Sequence, residues 1–201
     1  MDRYFKLVYF AGMLAEIVLR RPYDQQRRQT AKIDQRVSAK EQTIFGGLSI
    51  GLLLLPLLYS LTNWLDRANY RWSPARKARM GILGTLCMAG AVWLFWRSHH
   101  DLGHNWSPSL EIGSNHTLVT TGVYRYVRHP MYSSQLLWGI AQALLLQNAI
   151  AGWPGFMTFL ALYLLRVPDE EQMMRDHFGD QYRTYAAHTG RVLPRVRNRQ
   201  H

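Results

Sequence analysis

Arg128-His-Pro-Met-Tyr132 sets a guanidinium, an imidazole and a phenol within five residues, and Arg166 and the pair Glu170-Glu171 follow after a long uncharged interval. Carboxylates of this kind suit an ammonium group or sugar hydroxyls, and tyrosine rings attract cations through their faces. A neutral imidazole gives or takes one hydrogen bond. An arginine at the membrane end of a helix grips a carboxylate through two parallel hydrogen bonds. Just upstream, Gly122-Val-Tyr124 and Tyr126 add two more phenols.

These groups come together only if the chain between them doubles back. Pro130 to Leu165 is a run of 36 residues without Asp, Glu, Lys or Arg. As one helix it would span about 54 Å against a hydrocarbon core of roughly 30 Å. A hairpin breaking within Gln147 to Gly155, where Gln, Asn, Gly and Pro collect, returns the chain to the side it left. Arg128-His129-Pro130 then lies near Arg166 and Glu170-Glu171.

The order of these pieces, with Asp101-Leu-Gly, Asn105-Trp-Ser, His116-Thr-Leu-Val119, Gly122-Val-Tyr124, Phe178-Gly179, Tyr182 and Thr189-Gly-Arg-Val-Leu-Pro194, resembles the isoprenylcysteine carboxyl methyltransferase family, part of the wider membrane phospholipid methyltransferases. The resemblance covers roughly Asp101 to Pro194. It implies an S-adenosyl-L-methionine site, releasing S-adenosyl-L-homocysteine, contacted by Glu111, His116, Thr117, Leu118, Val119, Tyr124, His129, Pro130, Met131, Tyr132 and Glu170. It also implies Arg166 as the acceptor contact, with Arg166, Glu170 and His129 as the catalytic set. No Gly-x-Gly-x-x-Gly follows a strand, so such a site is built from helix ends and loops instead of a dinucleotide fold. A carboxylate acceptor is already ionised and needs no base, whereas an amine acceptor requires Glu170, Glu171 or His129 to remove a proton.

The remaining segments supply the scaffold. Tyr4 to Leu19 is a candidate span that carries Lys6 and Glu16; Thr43 to Thr62 and Met80 to Trp96 carry no charge. With the hairpin this predicts an all-α, polytopic membrane protein of five crossings in a single domain: a three-span scaffold at 1–98, a catalytic region at 99–194 containing the hairpin 130–165, and a basic tail at 195–201. From Pro168 a helix is expected with acidic residues in its first turn, ending at Phe178-Gly179, followed by a short helix over Asp180 to Ala187. Five crossings place 17 of the 24 Lys and Arg residues on one side. The positive-inside rule makes that side cytosolic, with the N-terminus outside and the site and C-terminus inside. The chain is expected in the inner membrane of a bacterium or the endoplasmic reticulum of a eukaryote.

A net charge of +11 raises the question of nucleic acid, but the basic residues alternate with apolar runs instead of forming one patch, so the bilayer is the expected partner. One cysteine, Cys87, excludes a disulfide framework and a Cys-based zinc site. The H-x-x-x-H in His99-His-Asp-Leu-Gly-His104 has metal-ligand spacing, but no second box accompanies it, and a polar turn at the interface accounts for it. No metal is assigned. Taken singly, Glu170 and Glu171 suit a helix N-terminus, Arg128 and Arg166 suit positive-inside anchors, and Tyr124 and Tyr132 suit interfacial aromatics. Their convergence on one hairpin, within an ordered motif set, favours an enzyme acting on a lipophilic acceptor. Methylation of an isoprenylcysteine-like carboxylate leads; N-methylation of a phospholipid amine and a non-catalytic membrane scaffold are the alternatives.

Overall fold

The computed structural model describes residues 2–27, 32–35, 46–105, 111–113 and 117–195. Five helices dominate them: α1 (Asp2–Arg27), α2 (Gly46–Leu61), α3 (Pro74–Leu102), α4 (Pro130–Leu146) and α5 (Ala149–His188). The helical class expected from the sequence is present, with one addition. A short antiparallel ribbon pairs β1 (Lys32–Gln35) with β2 (Glu111–Gly113), joining the chain after α1 to the chain after α3. Two helices, α3 and α5, are long and apolar enough to cross a membrane. The expected span Thr43 to Thr62 is a shorter apolar helix: α2 stops at Leu61, Thr62 is its extended C-cap, and residues 43–45 lie outside the described residues.

The hairpin is tighter than expected. Gln147 adopts the left-handed conformation (φ 52°), and Asn148 caps α5 by accepting from the N–H groups of Ile150 and Ala151 at 3.0 and 2.9 Å. The turn is thus two residues, and Pro154 and Gly155 lie inside α5. A second correction concerns Pro168, which does not begin a helix but sits within α5. Proline there leaves the Leu164 carbonyl without its usual N–H partner, yet breaking the helix near apolar surroundings would strand several backbone groups at greater cost. Gly179, at φ 54° and ψ −127°, does interrupt the helix where Phe178-Gly179 was expected to end it.

Close packing fixes α4 against its neighbours. A Cβ at Gly139 would come within 2.5 Å of the Phe156 Cα, so only glycine permits this approach of α4 to α5. Phe5, Tyr9, Met88, Ala91, Trp138 and Phe159 form the core between the helices. A polar knot sits beside it. Residues Ile50–Leu54 are π-helical, and Pro56 has no N–H to offer the preceding turn. The carbonyls thus released are taken up from other helices: Leu52 accepts from the Tyr9 hydroxyl at 2.6 Å and Gly51 from the Gln142 side chain at 2.8 Å.

Contacts sort the helix termini into two ends. At one, Gln147 Nε2 donates to the Lys77 carbonyl (2.7 Å), Asn148 Nδ2 to the Leu65 carbonyl (2.7 Å), and Lys6 Nζ to the Tyr59 carbonyl (3.2 Å). At the other lie the C-terminal end of α3, the start of α4 and the Glu170 region of α5, and there the polar groups singled out by sequence collect.

Candidate functional site

His129 is the N-cap of α4 and Pro130 its first residue, so the imidazole stands where the chain enters the hairpin. Five and six residues past the uncharged run, Glu170 and Glu171 face it from α5. The His129 Nδ1 lies 3.4 Å from Glu170 Oε2 and its Nε2 lies 3.3 Å from Glu171 Oε1. Burial disfavours a charged imidazole, but the hydrogen bonds and negative charge of both glutamates outweigh it and raise the His129 pKa. An imidazolium fits this position because both ring nitrogens then donate.

The two glutamates have different company. Glu170 Oε1 accepts from the Tyr132 hydroxyl at 2.9 Å and lies 2.9 Å from Arg166 Nε. Burial pushes its pKa up, but His129, Arg166 and Tyr132 together bring it below the ordinary value. Glu171, whose side chain is 4% exposed, is held by Arg128 (2.8 and 3.1 Å), Arg191 (2.9 and 3.2 Å) and His129. Against burial, these donors hold the Glu171 carboxyl far below the usual carboxylate range. Arg128 also donates to the carbonyls of Ala186 and Thr189.

A strap made by the chain after α5 completes this end. The N–H groups of Arg128 and His129 donate to the carbonyls of Gly190 (2.8 Å) and Arg191 (2.9 Å), and Ser133 Oγ donates to Val192 (2.6 Å). These bonds satisfy N–H groups that the start of α4 leaves without helical partners. On the opposite flank Asp101, at the end of α3, accepts from the Val123 N–H at 2.9 Å and pairs with Arg97 at 2.8 Å. Gly122 (φ 59°) lies so close beneath that a Cβ would come within 2.1 Å of Asp101 Oδ2. This turn seats Tyr124, which is buried, donates to the Ser98 carbonyl at 3.3 Å, and accepts at its own carbonyl from the Tyr185 hydroxyl at 2.6 Å. Burial, followed by the negative charge around it, raises the Tyr124 pKa well above the usual value.

Of the residues singled out by sequence, His129, Tyr132, Arg166 and Glu170 thus form one bonded cluster, with Pro130 buried and Met131 half-buried at the head of α4. Thr117 is tied to buried Asn105, its N–H donating to Asn105 Oδ1 at 2.8 Å, and Leu118 and Val119 are half-buried. No hydrogen bond among the described residues joins Thr117, Leu118 or Val119 to the cluster. Glu111 lies in β2 opposite Gln35, and His116 lies outside the described residues. Arg128, Arg191 and Asp101 were given no site role from sequence, although each falls in a quoted motif, and Glu171 was given only that of a base for an amine acceptor. His99 is buried against the Phe95 carbonyl (2.9 Å) and His100 bonds Asp101 (3.2 Å).

The donor set suits S-adenosyl-L-methionine. Glu170 retains 21% side-chain exposure and has unused lone pairs for an ammonium, and the Tyr132 ring stands edge-on to Tyr163 at 5.8 Å, offering aromatic surface to a sulfonium. A chain of long apolar helices with a charged, ring-lined cluster at one end of a hairpin defines the class; comparison with known proteins supplies the family. The profile described as "Isoprenylcysteine carboxyl methyltransferase (ICMT) family" matches residues 82–176. Protein-S-isoprenylcysteine O-methyltransferase A of Arabidopsis thaliana is 34% identical over 149 residues, covering 74% of this chain and 73% of the relative. The B protein of the same plant is 35% identical over 82 residues, covering 41% of this chain and 42% of its own length. The Homo sapiens protein-S-isoprenylcysteine O-methyltransferase is 27% identical over 143 residues, 70% of this chain and 49% of the relative. A solved eukaryotic intramembrane Ras methyltransferase ICMT aligns at 24% identity and a TM-score of 0.45, covering 79% of this chain and 54% of that one. The chain belongs to the isoprenylcysteine carboxyl methyltransferase family. It spans about half or less of the length of several of these relatives.

Proposed function

We propose that the protein is an S-adenosyl-L-methionine-dependent membrane methyltransferase that O-methylates the carboxylate of an isoprenylcysteine-like lipophilic acceptor. The observation that carries this reading is the pairing state of the cluster. Both glutamates are already engaged by Arg166, Arg128, Arg191 and His129, so neither stands ready as a free proton acceptor. A carboxylate acceptor needs none, because it is ionised at neutral pH; an ammonium acceptor would.

S-adenosyl-L-methionine, when bound, supplies a methyl group on a cationic sulfonium. Its transfer to an ionised carboxylate oxygen would exchange the S–CH3 bond for an O–CH3 bond, leave neutral S-adenosyl-L-homocysteine and require no base. Glu170 would hold the ammonium end, the Tyr132 ring would face the sulfonium, and Arg166 would orient the acceptor carboxylate. His129, as imidazolium, keeps the paired glutamates in register, and the apolar hairpin excludes water from the approach. The family resemblance assigns Glu111, His116, Thr117, Leu118, Val119, Tyr124, Pro130 and Met131 to the remaining cofactor contacts in this reading. Residues 1–98 act as scaffold and 99–194 as the catalytic region.

Five crossings with the cluster cytosolic agree with the alternation of helix ends and with the excess of basic residues on that side. Single cysteines at Ser107 and Asn198, in a Cys87→Ala background, should be shielded from an impermeant thiol reagent in intact cells. Labelling at both would invert the orientation. The activity is tested by transfer of labelled methyl to a farnesylcysteine analogue, to phosphatidylethanolamine and to a lipid extract. Methylation of phosphatidylethanolamine alone would move the assignment to the N-methyltransferase reading, and no transfer by folded, cofactor-binding protein to any of the three would remove the proposed acceptor.

A further inference from the structure

One carboxylate beside the glutamate cluster is absorbed by neither the cluster nor the core. Glu16 of α1 faces α4, where Gln135 Nε2 lies 3.2 Å from each of its oxygens. Gln135 stands in the second turn of α4, inside the uncharged run. The place of this pair is fixed from both sides. One turn before Glu16, Gly12 packs so closely that a Cβ would come within 2.6 Å of Met88 Sδ and 3.4 Å of the Trp138 ring, and Trp138 follows Gln135 by three residues. Three residues before Gln135 comes Tyr132, whose hydroxyl donates to Glu170. Residues three apart on a helix have Cβ atoms about 5–6 Å apart, so Glu16 and Gln135 form the layer between the aromatic core and the cluster.

That layer holds more hydrogen-bond acceptors than donors. A carboxylate offers lone pairs for about four hydrogen bonds, and Glu16 meets one neutral amide group among the described residues. No described residue forms an ion pair with it, and the Gln135 side-chain carbonyl accepts from none of them. Arg20, one turn further along α1, is exposed and lies with its guanidinium 5.4 Å from the centre of the Phe95 ring. A carboxylate set against an apolar hairpin with one neutral donor is costly, and such residues in membrane helices mark sites where a further group binds.

Arg166 indicates which group arrives. Its Nε and the Tyr132 hydroxyl each lie 2.9 Å from the same atom, Glu170 Oε1, so a carboxylate held by Arg166 lies beside Tyr132, the helical neighbour of Gln135. In an α-amino acid the nitrogen is one carbon away from the carboxyl group. A subsite for that nitrogen must therefore adjoin the carboxylate contact and present acceptors.

We propose that Glu16 and Gln135 form this subsite: the acceptor's carboxylate rests on Arg166 and its nitrogen donates N–H, as amide or ammonium, to the Glu16 carboxylate and the Gln135 carbonyl. The proposal rests on the reading of Arg166 as the acceptor contact and narrows the substrate class. The acceptor is a lipophilic amino acid or peptide end instead of a plain lipophilic acid.

The test measures methyl transfer by the full chain in detergent to three acceptors that share a farnesyl thioether and a carboxylate. N-acetyl-S-farnesylcysteine carries an amide N–H, S-farnesylcysteine an ammonium, and S-farnesylthiopropionate no nitrogen. Wild type should use the thiopropionate with a kcat/KM roughly ten- to a hundredfold below that of the better nitrogen-bearing acceptor, whose identity names the donor. In Glu16→Leu that preference should vanish through a raised KM, with thiopropionate turnover and S-adenosyl-L-homocysteine affinity unchanged. Equal use of all three by wild type would overturn the subsite. So would an equal loss for all three in Glu16→Leu, or loss of cofactor binding, because Glu16 would then only support the fold. N-methylation of S-farnesylcysteine in place of ester formation would make Glu16 a base and overturn it as well. If Glu16→Leu does not fold, Gln135→Met decides: it must narrow the gap between the nitrogen-bearing acceptors and the thiopropionate, or the proposal fails. Transfer to none of the three by folded, cofactor-binding wild type would instead remove the O-methylation reading beneath it.

Discussion

Replacing Glu171 by glutamine preserves the shape of the side chain but removes the anion that Arg128, Arg191 and His129 share. Arg128 and Glu171 are 9% and 4% exposed at their side chains, so the loss leaves a desolvated guanidinium without its counter-charge and His129 with Glu170 alone. Breaking a buried ion pair from one side costs about 3–5 kcal/mol. Arg191, at 54% exposure, is screened by solvent and adds about 0–1 kcal/mol; Arg175, at 3.8 Å and 37%, adds nothing measurable. Glutamine can still accept one hydrogen bond, which favours the lower half of the range. For a chain of this size each kcal/mol moves the midpoint by about 2–4 °C, so unfolding of Glu171→Gln should begin roughly 6–20 °C below wild type. Differential scanning fluorimetry in one detergent at neutral pH measures it. Arg191→Ala in parallel should fall by only a few degrees. A Glu171→Gln midpoint within about 2 °C of wild type would refute the view of Glu171 as the buried anion that holds α4, α5 and the strap together.

Other outcomes follow from the same geometry. Glu170→Gln should weaken S-adenosyl-L-homocysteine affinity by roughly ten- to a hundredfold in calorimetry, whereas Arg166→Ala should abolish methyl transfer with a smaller loss of binding; equal losses in both would make the pair structural only. Because Arg166 Nε sits 2.9 Å from Glu170, their double variant should show non-additive stability, and strict additivity would deny the pairing. The His129 pKa is raised, so its contribution to stability is complete below its ordinary value of 6.5 and disappears as pH rises through the folded value. The depressed Glu171 contributes above its ordinary 4.5 and loses that contribution as pH falls through its folded value. Thermal midpoints should therefore decline on both sides of a plateau, and His129→Gln should remove the alkaline decline; an unchanged alkaline limb would show that another group titrates. Gly122→Ala should cost at least about 1 kcal/mol through its positive φ, with further loss from contact with Asp101, and an unaltered denaturation midpoint would contradict the described turn.

The hairpin was legible because 36 uncharged residues cannot cross a bilayer once as a single straight helix of ordinary tilt, and the cluster was legible because that return brings Arg128-His129 to Glu170-Glu171 whatever the finer packing. Helix interruption at Gly179 was equally readable, since a glycine after Phe178 tolerates the positive φ found there. The division of labour between the two glutamates was not. Neighbours on a helix point about 100° apart, so which of them meets Tyr132 and Arg166, and which meets Arg128 and Arg191, depends on how α5 is rotated against α4. That rotation is set by contacts such as Gly139 against Phe156, which no local pattern announces. Arg191 lay hidden for a related reason: it reaches Glu171 only because the chain after α5 folds back and bonds the start of α4. Pro168 misled because proline usually opens a helix, while here the helix already running from Ala149 had more to lose by stopping. Sequence alone determined which groups meet at one end of the molecule; only the tertiary packing decided which hydrogen bonds each of them makes there.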